Sequence, residues 1–355
     1  MTKHIHGGDV YKYDHCLDFS ANCNPLGTPQ SVKQAIIDSV EGLSDYPRVG
    51  CGPLKEAIAD YEHTKKEYLI CGNGAADLIF SLSRALNPKK ALLPAPTFAE
   101  YEQALISVGC EISRYYLKEE NDFCIQKDYP DVLKREKPDI IFLCNPNNPT
   151  GLLVEKPLLE KILKRCQELN ILMAVDECFL DFVPSPEKYT LKEYLETYDN
   201  LFLLKAFTKR YAMAGVRLGY GLCGNKGLLE KIEGVCQPWN VSSMAQAAGL
   251  AALQETEYVE KGRQVTFEEL AYLKEQLTAL GYPVYPSQAN YVFFTGPLDL
   301  YEKLEQKKIL IRDCSNYTGL SKGYYRVAVK EHEENQQLVR ALKEIDRTKV
   351  ENVIL

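Results

Sequence analysis

From about residue 68 the chain alternates short apolar runs with helical patterns, and this alternation restricts it to few architectures. Tyr68-Leu-Ile-Cys, Ala91-Leu-Leu-Pro, Asp139-Ile-Ile-Phe-Leu-Cys, Ile171-Leu-Met-Ala-Val and Leu201-Phe-Leu-Leu read as buried strands. Helices are expected between them over 76–86, 99–108, 156–169 and 191–197. Strand and helix in turn imply an α/β domain around a largely parallel sheet, flanked by helices. Ligands of such sheets bind beyond the carboxyl ends of the strands. Chemically active residues are therefore expected just after the apolar runs.

Beyond about residue 255 the pattern changes. A charged helix over 257–280 leads to strand-like Asn290-Tyr-Val-Phe-Phe, a helix near 298–306, strand-like Lys308-Ile-Leu-Ile and Tyr324-Tyr-Arg-Val-Ala-Val, and a last helix from Glu333. These imply a smaller α+β domain. The expected division is an N-terminal segment, 1–40, that returns to join the small domain, a large domain, 41–255, and the small domain, 256–355. With 45% hydrophobic and 26% charged residues the chain reads as soluble and globular. Its net charge of −7 argues against a nucleic-acid or anionic-membrane partner. No apolar run is long enough to span a bilayer, and the first residues hold no apolar signal core, so a cytoplasmic protein is expected. The 12 cysteines include no Cys-x-x-Cys pair and read as reduced core fillers. The 5 histidines lack metal-ligand spacing, so no metal is expected.

Four features follow predicted strands. Cys71-Gly-Asn-Gly74-Ala75-Ala76-Asp77 is a glycine turn opening a helix, where backbone N–H groups can cradle a phosphate. A dinucleotide site would need glycine at Asp77, and a plain tight turn is the other possibility. Asn145-Pro-Asn-Asn148-Pro-Thr-Gly151 is a rigid turn whose asparagine side chain could donate to a ring oxygen. Asp176-Glu177 ends an apolar run. A carboxylate there could face a pyridinium nitrogen, while a metal pair or helix cap would use the same residues. Last comes Thr208-Lys209, with Arg217 further along a segment of small and apolar residues. An apolar setting disfavours an ammonium and favours a nucleophilic amine able to form a Schiff base, and a nearby arginine can pair with phosphate. Lys205 is the rival lysine, but it lies within the apolar run rather than after it.

Asn-Pro-Thr-Gly, then Asp-Glu after a strand, then Thr-Lys before Arg-Leu-Gly-Tyr, in that order, resembles the fold-type I, aspartate-aminotransferase-like enzymes of the class I/II aminotransferase family. The resemblance covers nearly the whole chain and implies pyridoxal 5′-phosphate (PLP) as cofactor. It implies that Lys209 carries the Schiff base, Asp176 pairs with the pyridine nitrogen and Asn148 bonds the phenolic oxygen. By the same resemblance Gly74, Ala75, Ala76 and Arg217 hold the phosphate, Thr208 is a further cofactor-binding residue, and Phe98 stacks on the ring. Tyr46 would reach a phosphate across a homodimer interface.

His6-Gly7-Gly-Asp, Asp18-Phe-Ser-Ala-Asn22-Cys-Asn-Pro-Leu-Gly, Ile311-Arg312-Asp-Cys-Ser-Asn-Tyr and Tyr325-Arg326-Val-Ala-Val narrow the choice. They resemble the branch that decarboxylates L-threonine O-3-phosphate for the cobalamin side arm, whose near relatives are histidinol-phosphate aminotransferases. Phe179 stands where many aminotransferases of this fold carry tyrosine. The resemblance implies that His6, Gly7, Asn22, Asn148, Arg312 and Arg326 line a site for a small phosphorylated amino acid. Without it, His6 would read as a tail residue and the two arginines as surface ion-pair partners. Ala206 and Ala214 depart from the pattern, replacing a frequent hydroxyl and a frequent proline. A non-catalytic binding protein of the same fold is the alternative of another class, and the presence of Lys209 weighs against it.

Overall fold

The computed structural model describes residues 7–13 and 15–354. Its strands are β1 (Leu17–Asp18), β2 (Leu69–Gly72), β3 (Lys90–Ala95), β4 (Glu111–Tyr116), β5 (Ile140–Cys144), β6 (Leu172–Asp176), β7 (Leu201–Ala206), β8 (Gly219–Leu222), β9 (Tyr291–Thr295), β10 (Ile309–Leu310), β11 (Arg312–Asp313) and β12 (Tyr324–Ala328). Seven of them form the main sheet in the order β2-β8-β7-β6-β5-β3-β4. All run parallel except β8, which is antiparallel to both its neighbours.

Strands β5, β6 and β7 are buried along their whole length, which is why they read as continuous apolar runs. Separate apolar clusters pack on the two faces of this sheet. One is built on Leu143, Met173, Val175 and Leu203, the other on Phe142, Ala174, Phe202 and Leu204. This odd–even split follows from the two-residue period of a strand. Helices Gly74–Leu86, Ala99–Ile106 and Lys156–Glu168 stand where the pattern places them. The expected helix over 191–197 does not form. A single 3-10 turn, Lys192–Tyr194, takes its place, because Glu177 accepts from the Thr190 hydroxyl and the Leu191 N–H and pins the start of the segment. What remains is too short to offset the cost of helix nucleation.

Two strands of the main sheet escape the apolar-run criterion. Edge strand β4 is half exposed and largely polar. Strand β8 is glycine-rich and lies inside the Arg-Leu-Gly-Tyr motif. Toward the C-terminus, β12 lies between β11 and β9 in an antiparallel sheet. The N-terminal β1 pairs in parallel with β10. Helices Thr256–Ala279 and His332–Ile354 pack against one another beside this sheet. All 12 cysteines are free. Among the described residues, no helix is long and apolar enough to cross a membrane.

Candidate active site

The register of the main sheet brings the strand ends into one line. Cys144 pairs with Asp176, and Asp176 with Leu204. Antiparallel β8 begins where its neighbours end, with Gly219 opposite Ala206, so the loop preceding it delivers Arg217 to the same edge. A cavity of about 310 Å³ opens there, lined among others by Asn22, Ala75, Ala76, Phe98, Asn148, Asp176, Thr208, Lys209, Arg217, Arg312 and Arg326.

Its floor is Asp176, whose side chain is 5% exposed. The Tyr101 hydroxyl donates to one carboxylate oxygen at 2.6 Å and the Cys178 N–H to the other at 3.0 Å. Burial pushes this carboxyl above its ordinary range, and hydrogen bonds from the Cys178 thiol, Tyr101 and the Cys178 N–H, with the Lys209 charge, pull it part of the way back. Tyr101 is fully buried, stacks on Phe142 at 4.9 Å and meets Phe98 edge-on at 5.5 Å. It is thus a fixed clamp on Asp176.

Glu177, one residue on, points to the opposite side of the sheet. It lies 3.4 Å from Lys205, which also lies 3.4 Å from Glu62. Burial alone would lower the Lys205 ammonium, but the two carboxylates outweigh it and raise it. Burial likewise opposes the charge on Glu62, yet Lys205, Arg210 and Lys192 hold its carboxyl well below the usual range. Lys205 is therefore a structural cation in a compensated buried network. Lys209 lines the cavity, with its ammonium 5.7 Å from the centre of the Phe179 ring.

The glycine turn sits beside Arg217. Gly74 has φ +80°, and a Cβ there would fall 2.5 Å from an Nη of Arg217. A Cβ on Gly219 would fall 2.5 Å from the Ala75 nitrogen. Both positions require glycine for the close approach of chain to chain. The result is a helix N-terminus and a guanidinium converging at the cavity edge, an arrangement suited to a phosphate. Asp77 accepts from the Asn73 N–H and the Asn240 amide at 3.0 Å each, so it closes the turn where a dinucleotide fingerprint would need glycine.

Arg312 and Arg326 are direct partners across β11 and β12, and both are buried. Like charges opposite one another in a sheet destabilise it. Here each is restrained by neutral acceptors. Arg326 donates to the Ser20 carbonyl at 2.8 Å and to the Asn148 side chain. Arg312 donates to Asn316 at 2.7 Å and lies 5.2 Å from the Tyr317 ring centre. Tyr317 in turn donates to Asn148 at 3.1 Å. Two restrained guanidiniums facing one cavity form an anion site.

Gly7 and Asn22 also line the cavity. His6 lies outside the described residues. Tyr46 lies outside the cavity lining, is 78% exposed, and stacks on Trp239 at 4.4 Å. Sequence reasoning missed Glu100, Tyr101, Cys178 and Tyr317. Tyr101 had a readable signal, a tyrosine on the same helix face as Phe98.

The family model for aminotransferase class I and II matches residues 14–342. The threonine-phosphate decarboxylase of Salmonella typhimurium is 37% identical, the match covering 96% of each chain. The solved histidinol-phosphate aminotransferase of Clostridium acetobutylicum superposes with a TM-score of 0.87 at 32% identity, covering 94% of this chain and 99% of that one. The L-threonine-O-3-phosphate decarboxylase of Porphyromonas gingivalis superposes at 0.81 with 22% identity over 93% of this chain and 99% of that one, a likeness of fold. With the sheet order, the strand-end cavity and the match to residues 14–342 in agreement, the chain belongs to the class I and II aminotransferase family.

Proposed function

We propose that this chain is a PLP-dependent decarboxylase that converts L-threonine O-3-phosphate to the corresponding aminopropanol phosphate. The observation that carries this is the Arg312–Arg326 pair, which presents two anion anchors beside Lys209. A substrate with a carboxylate and a phosphate needs both. The 37% identity to the Salmonella decarboxylase over nearly the whole chain supports the same choice.

The residues present fit the cofactor. Gly74, Ala75, Ala76, Thr208 and Arg217 would hold its phosphate. Asp176 would face its ring nitrogen, Asn148 its ring oxygen, and Phe98 its ring face. Lys209 would hold it covalently. When bound, it supplies an electron-accepting ring for the charge released at Cα. The protein's own part is positional and electrostatic. Arg326 and Arg312 would fix the two anionic ends beside Asn22 and Gly7. His6 keeps the substrate role that the family resemblance implies for it. Lys209, at the cavity wall, would return a proton to Cα after CO₂ leaves. Phe179 offers no hydroxyl to the cofactor, whereas a tyrosine would.

Purified holoenzyme given threonine phosphate is expected to release CO₂ without consuming 2-oxoglutarate. The second reading, an aminotransferase acting on histidinol phosphate, draws on the 0.87 superposition. It would replace the first if histidinol phosphate and a keto acid react and threonine phosphate does not.

We further propose the division into 1–40, 41–255 and 256–355, a cytoplasmic location, and a homodimer in which Tyr46 reaches the partner's cofactor. Exposed Tyr46 and Trp239 stack on one another, and Asn240, next to Trp239, bonds Asp77 of the glycine turn, an exposed aromatic pair that supports the dimer. Analytical ultracentrifugation should show two chains per particle, and a monomer at micromolar concentration would remove this part.

A further inference from the structure

The cavity is lined by two carboxyl groups among the described residues. Asp176 is accounted for, and the other is Glu100. Glu100 stands in the first turn of helix Ala99–Ile106, two residues after Phe98, and faces the same space as Lys209, Arg312 and Asn316. We propose that Glu100 is the charge-sensing, specificity-determining group of the substrate pocket: it takes up a proton when a dianionic phosphate docks at Arg312, and its ionised form disfavours that anion. This rests on the proposed assignment of the pocket to a phosphorylated substrate.

The groups around Glu100 come from several elements. Lys209 follows β7, Arg312 lies on β11, Asp176 ends β6, and Tyr317 follows β11. Burial is the largest influence and disfavours the carboxylate. Its own backbone N–H, Lys209 and Arg312 favour it, and Asp176 opposes it again. The balance pushes the carboxyl up to about 7, so it changes charge near neutrality. An anion on Arg312 neutralises one of the favourable charges and adds an unfavourable one. Both effects raise the proton affinity of Glu100 further. By linkage, docking must take up protons above neutrality, and affinity must fall as pH rises through the value of the free site.

The test titrates wild-type, Glu100→Gln and Glu100→Asp holoenzymes with inorganic phosphate by calorimetry, in two buffers of different protonation heat at about pH 8. Uptake of roughly 0.4 proton per site is expected for wild type, the value a rise of about one unit from about 7 gives at that pH, with uptake of the same sense for Glu100→Asp and clearly less for Glu100→Gln. In parallel, KM for threonine phosphate should rise roughly tenfold more in wild type than in Glu100→Gln between about pH 6.5 and about pH 8.5, equivalent to about one pKa unit of coupling. Equal proton uptake in wild type and Glu100→Gln overturns the proposal. If threonine phosphate is not turned over but phosphate docking still draws a Glu100-dependent proton, the assigned reaction falls and the role of Glu100 stands.

Discussion

Replacing Lys209 with alanine is expected to abolish covalent attachment of the cofactor and to lower turnover by at least roughly 10⁴-fold, the upper end of what a positioned acid–base group contributes. Borohydride reduction followed by peptide mass spectrometry should find a pyridoxyl adduct at Lys209 in wild type and none in the variant. The control is Lys205→Met, the other lysine of the same segment. Lys205 sits between Glu62 and Glu177 on the far side of the sheet. Its loss leaves two buried carboxylates short of a partner and should cost about 3–5 kcal/mol of stability, read as a lower denaturant midpoint. It should not remove the adduct at Lys209. An adduct on Lys205 in wild type, or an undiminished adduct in Lys209→Ala, contradicts the assignment.

The two lysines also show what was legible in the sequence. A lysine inside a buried strand and one just past its end differ in one readable way: position relative to the apolar run. This suffices to put Lys209 at the cavity, because parallel sheets expose their carboxyl ends. Asp176, Asn148 and the Gly74 turn were legible for the same reason. The partner of Lys205 was not, since Glu62 lies on the helix Gly52–Glu62, remote in sequence. Likewise the placement of Arg217 depends on β8 running antiparallel, which four glycine-rich residues do not announce. Arg312 and Arg326 could be named individually, but that they are cross-strand partners is a matter of register. Glu100 was not legible, because the groups that share its cavity, Lys209, Asp176 and Arg312, are all remote in sequence.

Asp176→Asn is expected to reduce turnover by about 10²–10³-fold or more while the adduct at Lys209 persists. The substitution keeps the shape and both hydrogen bonds. The asparagine oxygen can still accept from Cys178 N–H, and the Tyr101 hydroxyl can turn to accept from the new amide. Only the charge is lost, so a change in turnover reports charge. Stability supplies an independent check. The folded-state pKa of Asp176 is raised by burial, so the fold loses stability as pH rises from the unfolded-state value through the folded one. At neutral pH that cost is in place, and asparagine removes it. The apo form of Asp176→Asn should therefore melt at the same temperature as wild-type apoprotein or higher, and the rise on adding PLP should be smaller than in wild type. A purely structural aspartate would behave in the opposite way, with a lower melting temperature and little specific loss of turnover. Near-normal turnover would show that the ring nitrogen has no charged partner here. A destabilised apoprotein would show that the carboxylate is retained for the fold.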